Sequence, residues 1–189
     1  MLNSTWKMSR NEVERVNNCR LKQKKRNSYK FDFSGRQKEL YQRDAFFWGH
    51  HTDIKYYFFD DMLYKYEFMI YGGMAYLAID ETEKIQNHRL EVKNINTLIL
   101  KNLQNKFGKE DTNTKDKDKN KDNSIQTTYK WIFKNQKITY KFNYWDSRNV
   151  SKKGKDYMDI RYIIIIEGVY QPIFNEMNNL IEKEKANYF

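Results

Sequence analysis

Few residues in this chain have the chemistry for catalysis, and their spacing is poor for it. His50 and His51 are adjacent, Asp53 follows, and His88 is far away. A metal centre needs three or four ligands converging on one point, and neighbouring side chains in a strand point to opposite faces. No metal site is expected. Cys19 is the sole cysteine. It has no local base to make a thiolate nucleophile, and it cannot form an intrachain disulfide. Asp60 and Asp61 resemble a pair for acid–base work, but aspartate is also favoured in tight turns. Gly72 and Gly73 fit no phosphate-cradling pattern and read as a bend or bulge. No catalytic residue and no cofactor are expected.

The stronger signals are for binding. The formal net charge is +10. Residues 1–43 hold 12 Lys/Arg against 4 Asp/Glu. Arg20, Lys22, Lys24, Lys25 and Arg26 crowd one short run. Such a run offers salt-sensitive affinity for nucleic acid or another anionic surface, including a membrane. No RNP-like sequence or zinc finger accompanies it. The second signal is "AFFWGHH", in which Phe46, Phe47 and Trp48 read either as an exposed aromatic anchor for a protein partner or as another buried strand.

These candidates must be positioned by regular elements. "MSRNEV" starts a helix: Ser9 caps it, Glu12 closes a capping box, and Met8 and Val13 form a hydrophobic staple. "YKFDF" alternates like a strand. In the span from Tyr56 to Tyr71, eight of sixteen residues are Tyr or Phe. Ile54, Tyr56 and Phe58, then Tyr64, Tyr66, Phe68 and Ile70, alternate on either side of "DDM". This predicts a β-hairpin whose rings face a core. "VKNINTLILKNLQNKFGK" is an amphipathic helix stopped by Gly108.

Residues 109–124, "KEDTNTKDKDKNKDNS", contain no apolar residue, and their charges cancel. They read as a disordered internal loop. "YKWIFKNQKITYKFNYW" predicts a second hairpin. The run Ile163–Ile166 belongs in a central strand covered on both sides. Pro172 opens a final helix with Ile173, Phe174, Met177, Leu180 and Ile181 on one stripe.

The fold class is therefore α+β: a single domain, 1–189, with an antiparallel sheet built from hairpins and helices packed on one face. Enrichment in Lys, Asn, Ile, Tyr and Phe is also what AT-rich codon usage produces, so composition by itself assigns no role. No stretch reaches the ~20 apolar residues of a membrane-spanning helix.

Four segments, "STWKMSRNEVERV", "YYFFDDMLYKYEF", "INTLILKNLQNKFGK" and "YKWIFKNQKITYKF", together resemble small bacterial domains similar to β-lactamase-inhibitor proteins and outer-membrane assembly accessory lipoproteins. The resemblance implies helices on an antiparallel sheet and action by binding other proteins. It implies the cell envelope if a leader has been removed; otherwise a cytoplasmic location is expected. The functional expectation is a non-enzymatic domain presenting a sheet-and-loop surface to another macromolecule, a protein in the first instance.

Overall fold

The computed structural model describes residues 4–23, 36–47, 49–118, 124–150 and 154–186. The "YKFDF" stretch and the 119–123 part of the expected loop lie outside these residues. In chain order the elements are α1 (Arg10–Val16), β1 (Lys22–Gln23), β2 (Gln37–Phe47), β3 (His50–Phe59), β4 (Met62–Ala78), α2 (Thr82–Phe107), β5 (Thr112–Asp118), β6 (Ser124–Ile132), β7 (Gln136–Val150), β8 (Asp156–Tyr170) and α3 (Gln171–Ala186). The described strands are hydrogen-bonded in the order β1-β2-β3-β4-β8-β7-β6-β5. The fold is α+β with an antiparallel sheet. Contacts divide the chain into two compact units.

Unit 1 comprises Met1–Phe68, Ile132–Ile138 and Glu167–Phe189. The capping box forms as the sequence dictates. The Ser9 amide donates to Glu12 Oε2 at 2.8 Å, and the Glu12 amide donates to Ser9 Oγ at 3.4 Å. These bonds hold the Glu12 carboxyl below its usual range, the Ser9 amide contributing most. A seven-residue helix is marginal alone. It is tied down by Glu14, which accepts from the Leu21 amide at 2.7 Å, and by Arg10, which donates to the Leu21 carbonyl at 2.9 Å. Val13 and Leu21 are buried. Before the helix, Lys7 and Met8 exchange backbone hydrogen bonds with Leu63. Trp6 stacks on Tyr66 at 5.2 Å, and its indole N–H donates to Gln136.

The β3–β4 hairpin turns on Asp60 and Asp61, both with positive φ. That is the geometry of a type I′ turn, which aspartate tolerates. Arg36 forks onto the Asp60 carboxylate, with Nε at 2.8 Å from Oδ1. Ile54, Tyr56 and Phe58 are buried on one side of β3. On the alternate side Phe59 joins Tyr64, Ile173 and Met177 in a cluster flanked by Tyr57, Phe174, Leu180 and Ile181. The stripe read for α3 is therefore the one that packs.

Unit 2 comprises Met69–Trp131 and Thr139–Ile166. Its helix α2 begins at Thr82, ten residues before the apolar repeat starts at Val92. The added turns are polar apart from buried Ile85 and exposed Leu90. Arg89 holds them by a bidentate pair to Asp146, at 2.8 and 3.0 Å. Ile99 is buried, whereas Leu98 is half exposed. From β7, Tyr140 donates its hydroxyl to Asn96. Trp131, on β6, donates to the Gly108 carbonyl and meets Phe107.

The stretch read as a disordered loop differs from that expectation over residues 112–118, which form β5 paired antiparallel to β6. Its alternating Lys and Asp residues supply no apolar face. Ladder hydrogen bonds to β6 hold it, and charge on an edge strand discourages pairing with another chain. In β8, Ile164 and Ile166 are buried, but Ile163 and Ile165 are only partly so. Cover is complete on one side of that strand rather than both.

Burial of so many phenols has a pH consequence. Desolvation raises Tyr56, Tyr57, Tyr64 and Tyr140 above the ordinary tyrosine value and holds Tyr66 at about 12. Below pH ~10 these phenols are protonated in both the folded and unfolded chain. Above it the unfolded chain ionises while the folded chain stays neutral, so the folded state loses stability as pH rises. Urea midpoints measured from neutral pH upward are expected to stay level, then fall steeply beyond pH ~10. A level midpoint through that window contradicts the burial.

Candidate binding surface

The aromatic signal read in the sequence falls at the end of the β2–β3 hairpin. Phe46 pairs with His51, Phe47 with His50, and Ala45 with Thr52. A register shift lies between Gln42 and Ala45, where Asp44 adopts φ 54°. Such a bulge bends a strand and re-aims the side chains beyond it. Here the two phenylalanines are sorted by the period of the strand. Phe46 is 68% exposed and meets the His51 ring edge-on at 5.1 Å. Phe47 is buried and stacks on Phe68 at 4.5 Å. The structure thus separates the two neighbours: Phe46 is offered to solvent, and Phe47 belongs to the core of unit 1. Trp48 lies outside the described residues, and Gly49 follows it with φ 82°.

Of the basic run, Arg20 and Lys22 are exposed on the segment from α1 into β1. Lys22 sits opposite Tyr41 in the ladder. Lys24, Lys25 and Arg26 lie outside the described residues.

The candidates for chemistry are not brought together. His50 and His51 take adjacent positions in β3, so they face opposite ways. His88 is on α2, with Nδ1 3.4 Å from Glu91 and Nε2 buried without a hydrogen-bond partner among the described residues. Cys19 is half-buried, and burial together with Glu14 pushes its thiol up, which disfavours the thiolate. Asp60 is held below the usual carboxylate range by its hydrogen bonds to Arg36. Among the described residues no group of three His, Cys, Asp or Glu side chains is placed to hold a metal ion. No described helix is long and apolar enough to cross a membrane.

Charge on the sheet is arranged differently in the two units. In unit 1, Lys55 pairs with Glu67 at 3.0 Å and Lys65 with Glu167 at 2.6 Å. Lys65 also lies over the Tyr57 ring at 4.9 Å. In unit 2, Asp146 takes both Arg89 and the Tyr144 hydroxyl, and this raises Arg89 further. No sequence pattern announced the Arg89–Asp146 pair, because its members are 57 residues apart. Trp6 was equally hidden: one ring in a polar stretch, with partners supplied by β4 and the start of β7. No protein-family model, curated protein or solved structure matches the chain.

Proposed function

We propose that this protein is a non-catalytic binding domain that presents the end of the β2–β3 hairpin to another protein. The observation that carries the reading is the exposed Phe46 ring, braced by His51 and backed by buried Phe47. An exposed aromatic on a rigid strand loses little side-chain entropy on docking and supplies a large apolar contact. The resemblance to inhibitor-like domains agrees with a protein as partner. A second reading, binding of an anionic surface through the N-terminal basic run, draws on the exposure of Arg20 and Lys22.

Two substitutions one residue apart test the first reading. Phe46→Ala is expected to leave the melting temperature unchanged and to weaken capture of the partner by ~10-fold or more, as expected for a hot spot. Phe47→Ala is expected to cost ~3–5 kcal/mol of stability through the cavity left against Phe68. The readouts are pull-down from the native source and thermal melting. If Phe46→Ala retains every interaction that the unmodified protein makes, the hairpin end is not the docking site.

A further inference from the structure

The second face of the unit 2 sheet, opposite α2, has a character that the hairpin end lacks. Its membership follows from strand alternation. Tyr140 and Asp146 contact α2 residues, so Lys141 and Trp145 of β7 point to the other side. Trp131 contacts the end of α2, which places Lys130 on that other side too. On β8, Tyr162 meets Phe142 on the α2 side, leaving Ile163 and Ile165 facing away. The Tyr162 ring also lies over Gly72, so Tyr71 of β4 shares the outward face.

This face carries rings, apolar ground and unneutralised charge. Tyr71 is 57% exposed. Trp145, Ile163 and Ile165 are partly exposed. Lys130 and Lys141 have no carboxylate partner among the described residues, and Arg161 takes Asp159 at 3.0 Å. The contrast with unit 1 decides the chemistry, since Lys55 and Lys65 there are each matched to a glutamate. A partner for the unit 2 face must supply negative charge and flat apolar groups together. Single-stranded nucleic acid does both: bases stack on exposed aromatics, and phosphates meet the lysines. Tyr71 and Trp145 lie on strands separated by β8, so at least about 10 Å of sheet divides them, which leaves room for a base on each. A duplex keeps its bases stacked and offers these rings nothing.

We propose that the face of unit 2 opposite α2 binds single-stranded nucleic acid, with Tyr71 and Trp145 as stacking platforms and Lys130 and Lys141 as phosphate contacts. This face is built from unit 2 residues and the hairpin end from unit 1 residues, so either assignment stands or falls without the other.

The test is fluorescence anisotropy of a short labelled oligothymidylate titrated with the full chain. Binding is expected at low salt, weakening as salt rises with a log–log slope of about −1.4 for two phosphates. Lys130→Ala with Lys141→Ala is expected to flatten that slope. Tyr71→Ala is expected to weaken binding roughly 5-fold or more, and Trp145→Ala likewise. Tyr71 is exposed enough that its variant keeps the wild-type melting curve, so its result does not depend on Trp145→Ala folding. Arg20→Glu with Lys22→Glu is expected to leave the Tyr71-dependent part of the affinity intact. The proposal is overturned if the strand is not bound at low salt. It is overturned equally if Tyr71→Ala binds as well as the unmodified protein, if a duplex competes better than a single strand, or if only Arg20 and Lys22 matter. Concentration-dependent self-association that Trp145→Ala abolishes, without strand binding, would assign the face to a second copy instead.

Discussion

Trp131→Ala is expected to destabilise the protein by ~3–5 kcal/mol, the range for emptying a large aromatic site in a core. In a chain of this length that is a fall in melting temperature of about 6–20 °C. Trp131 is 1% exposed, lies against Phe107 near the end of α2, and donates its indole N–H to the Gly108 carbonyl at 2.8 Å. The substitution removes both the packing of β6 on α2 and the bond that satisfies a carbonyl at the helix terminus. Trp131→Phe keeps a ring in the site and forfeits the hydrogen bond, so it should cost less. Losing one such bond is worth ~1 kcal/mol. Differential scanning calorimetry reads both. An unchanged melting temperature for Trp131→Ala would place the ring outside the core.

The second large effect comes from the smallest side chain. Gly72→Ala is expected to cost about 3 kcal/mol, the upper part of the range for overpacking. A Cβ built on Gly72 would sit 1.5 Å from Tyr162 Cζ and 1.8 Å from Cε1. The ring cannot simply swing aside, because Tyr162 is buried beside Phe142. Ordinarily alanine in a strand is better than glycine by ~0.5–1 kcal/mol, so even the sign of the effect is diagnostic. The two strands repeat the device in reverse at Gly168 of β8, where a Cβ would come 2.3 Å from Tyr66 Cζ of β4. A double-mutant cycle with Tyr162→Ala should show that the cost of Gly72→Ala largely disappears when the ring is absent. Coupling of 1–3 kcal/mol is about what contacting residues give. Additive effects would mean that the ring does not rest on the glycine.

How far the sequence reveals this molecule depends on the range of the interactions involved. The start of α1 was legible because Ser9 and Glu12 satisfy each other within one turn. The β3–β4 hairpin was legible because Asp60 and Asp61 mark the turn and the rings alternate on both sides of it. The stripe of α3 was legible from its spacing alone. The first turns of α2 were not, because what holds them is Arg89 against Asp146, a contact made only after the chain returns through β7. The strand at 112–118 was invisible for a related reason. It has no apolar face, and its partners on β6 supply its backbone bonds. The fates of Phe46 and Phe47 could not be separated in advance. A bulge between Gln42 and Ala45 sets which ring faces out, and bulges leave little trace in composition. Gly72 reads as part of a bend or bulge until pairing places the Tyr162 ring over it.

The account rests on the alternating tyrosines being enclosed, and ionisation of individual phenols tests that most directly. NMR of the protein with ring-labelled tyrosine, titrated upward from neutral pH, resolves them one by one. Tyr66 is expected to ionise only near pH 12, and Tyr140 to remain protonated for as long as the fold survives. Ionisation of Tyr66 and Tyr140 near pH ~10 in the still-folded protein, as for a tyrosine in water, would contradict the account.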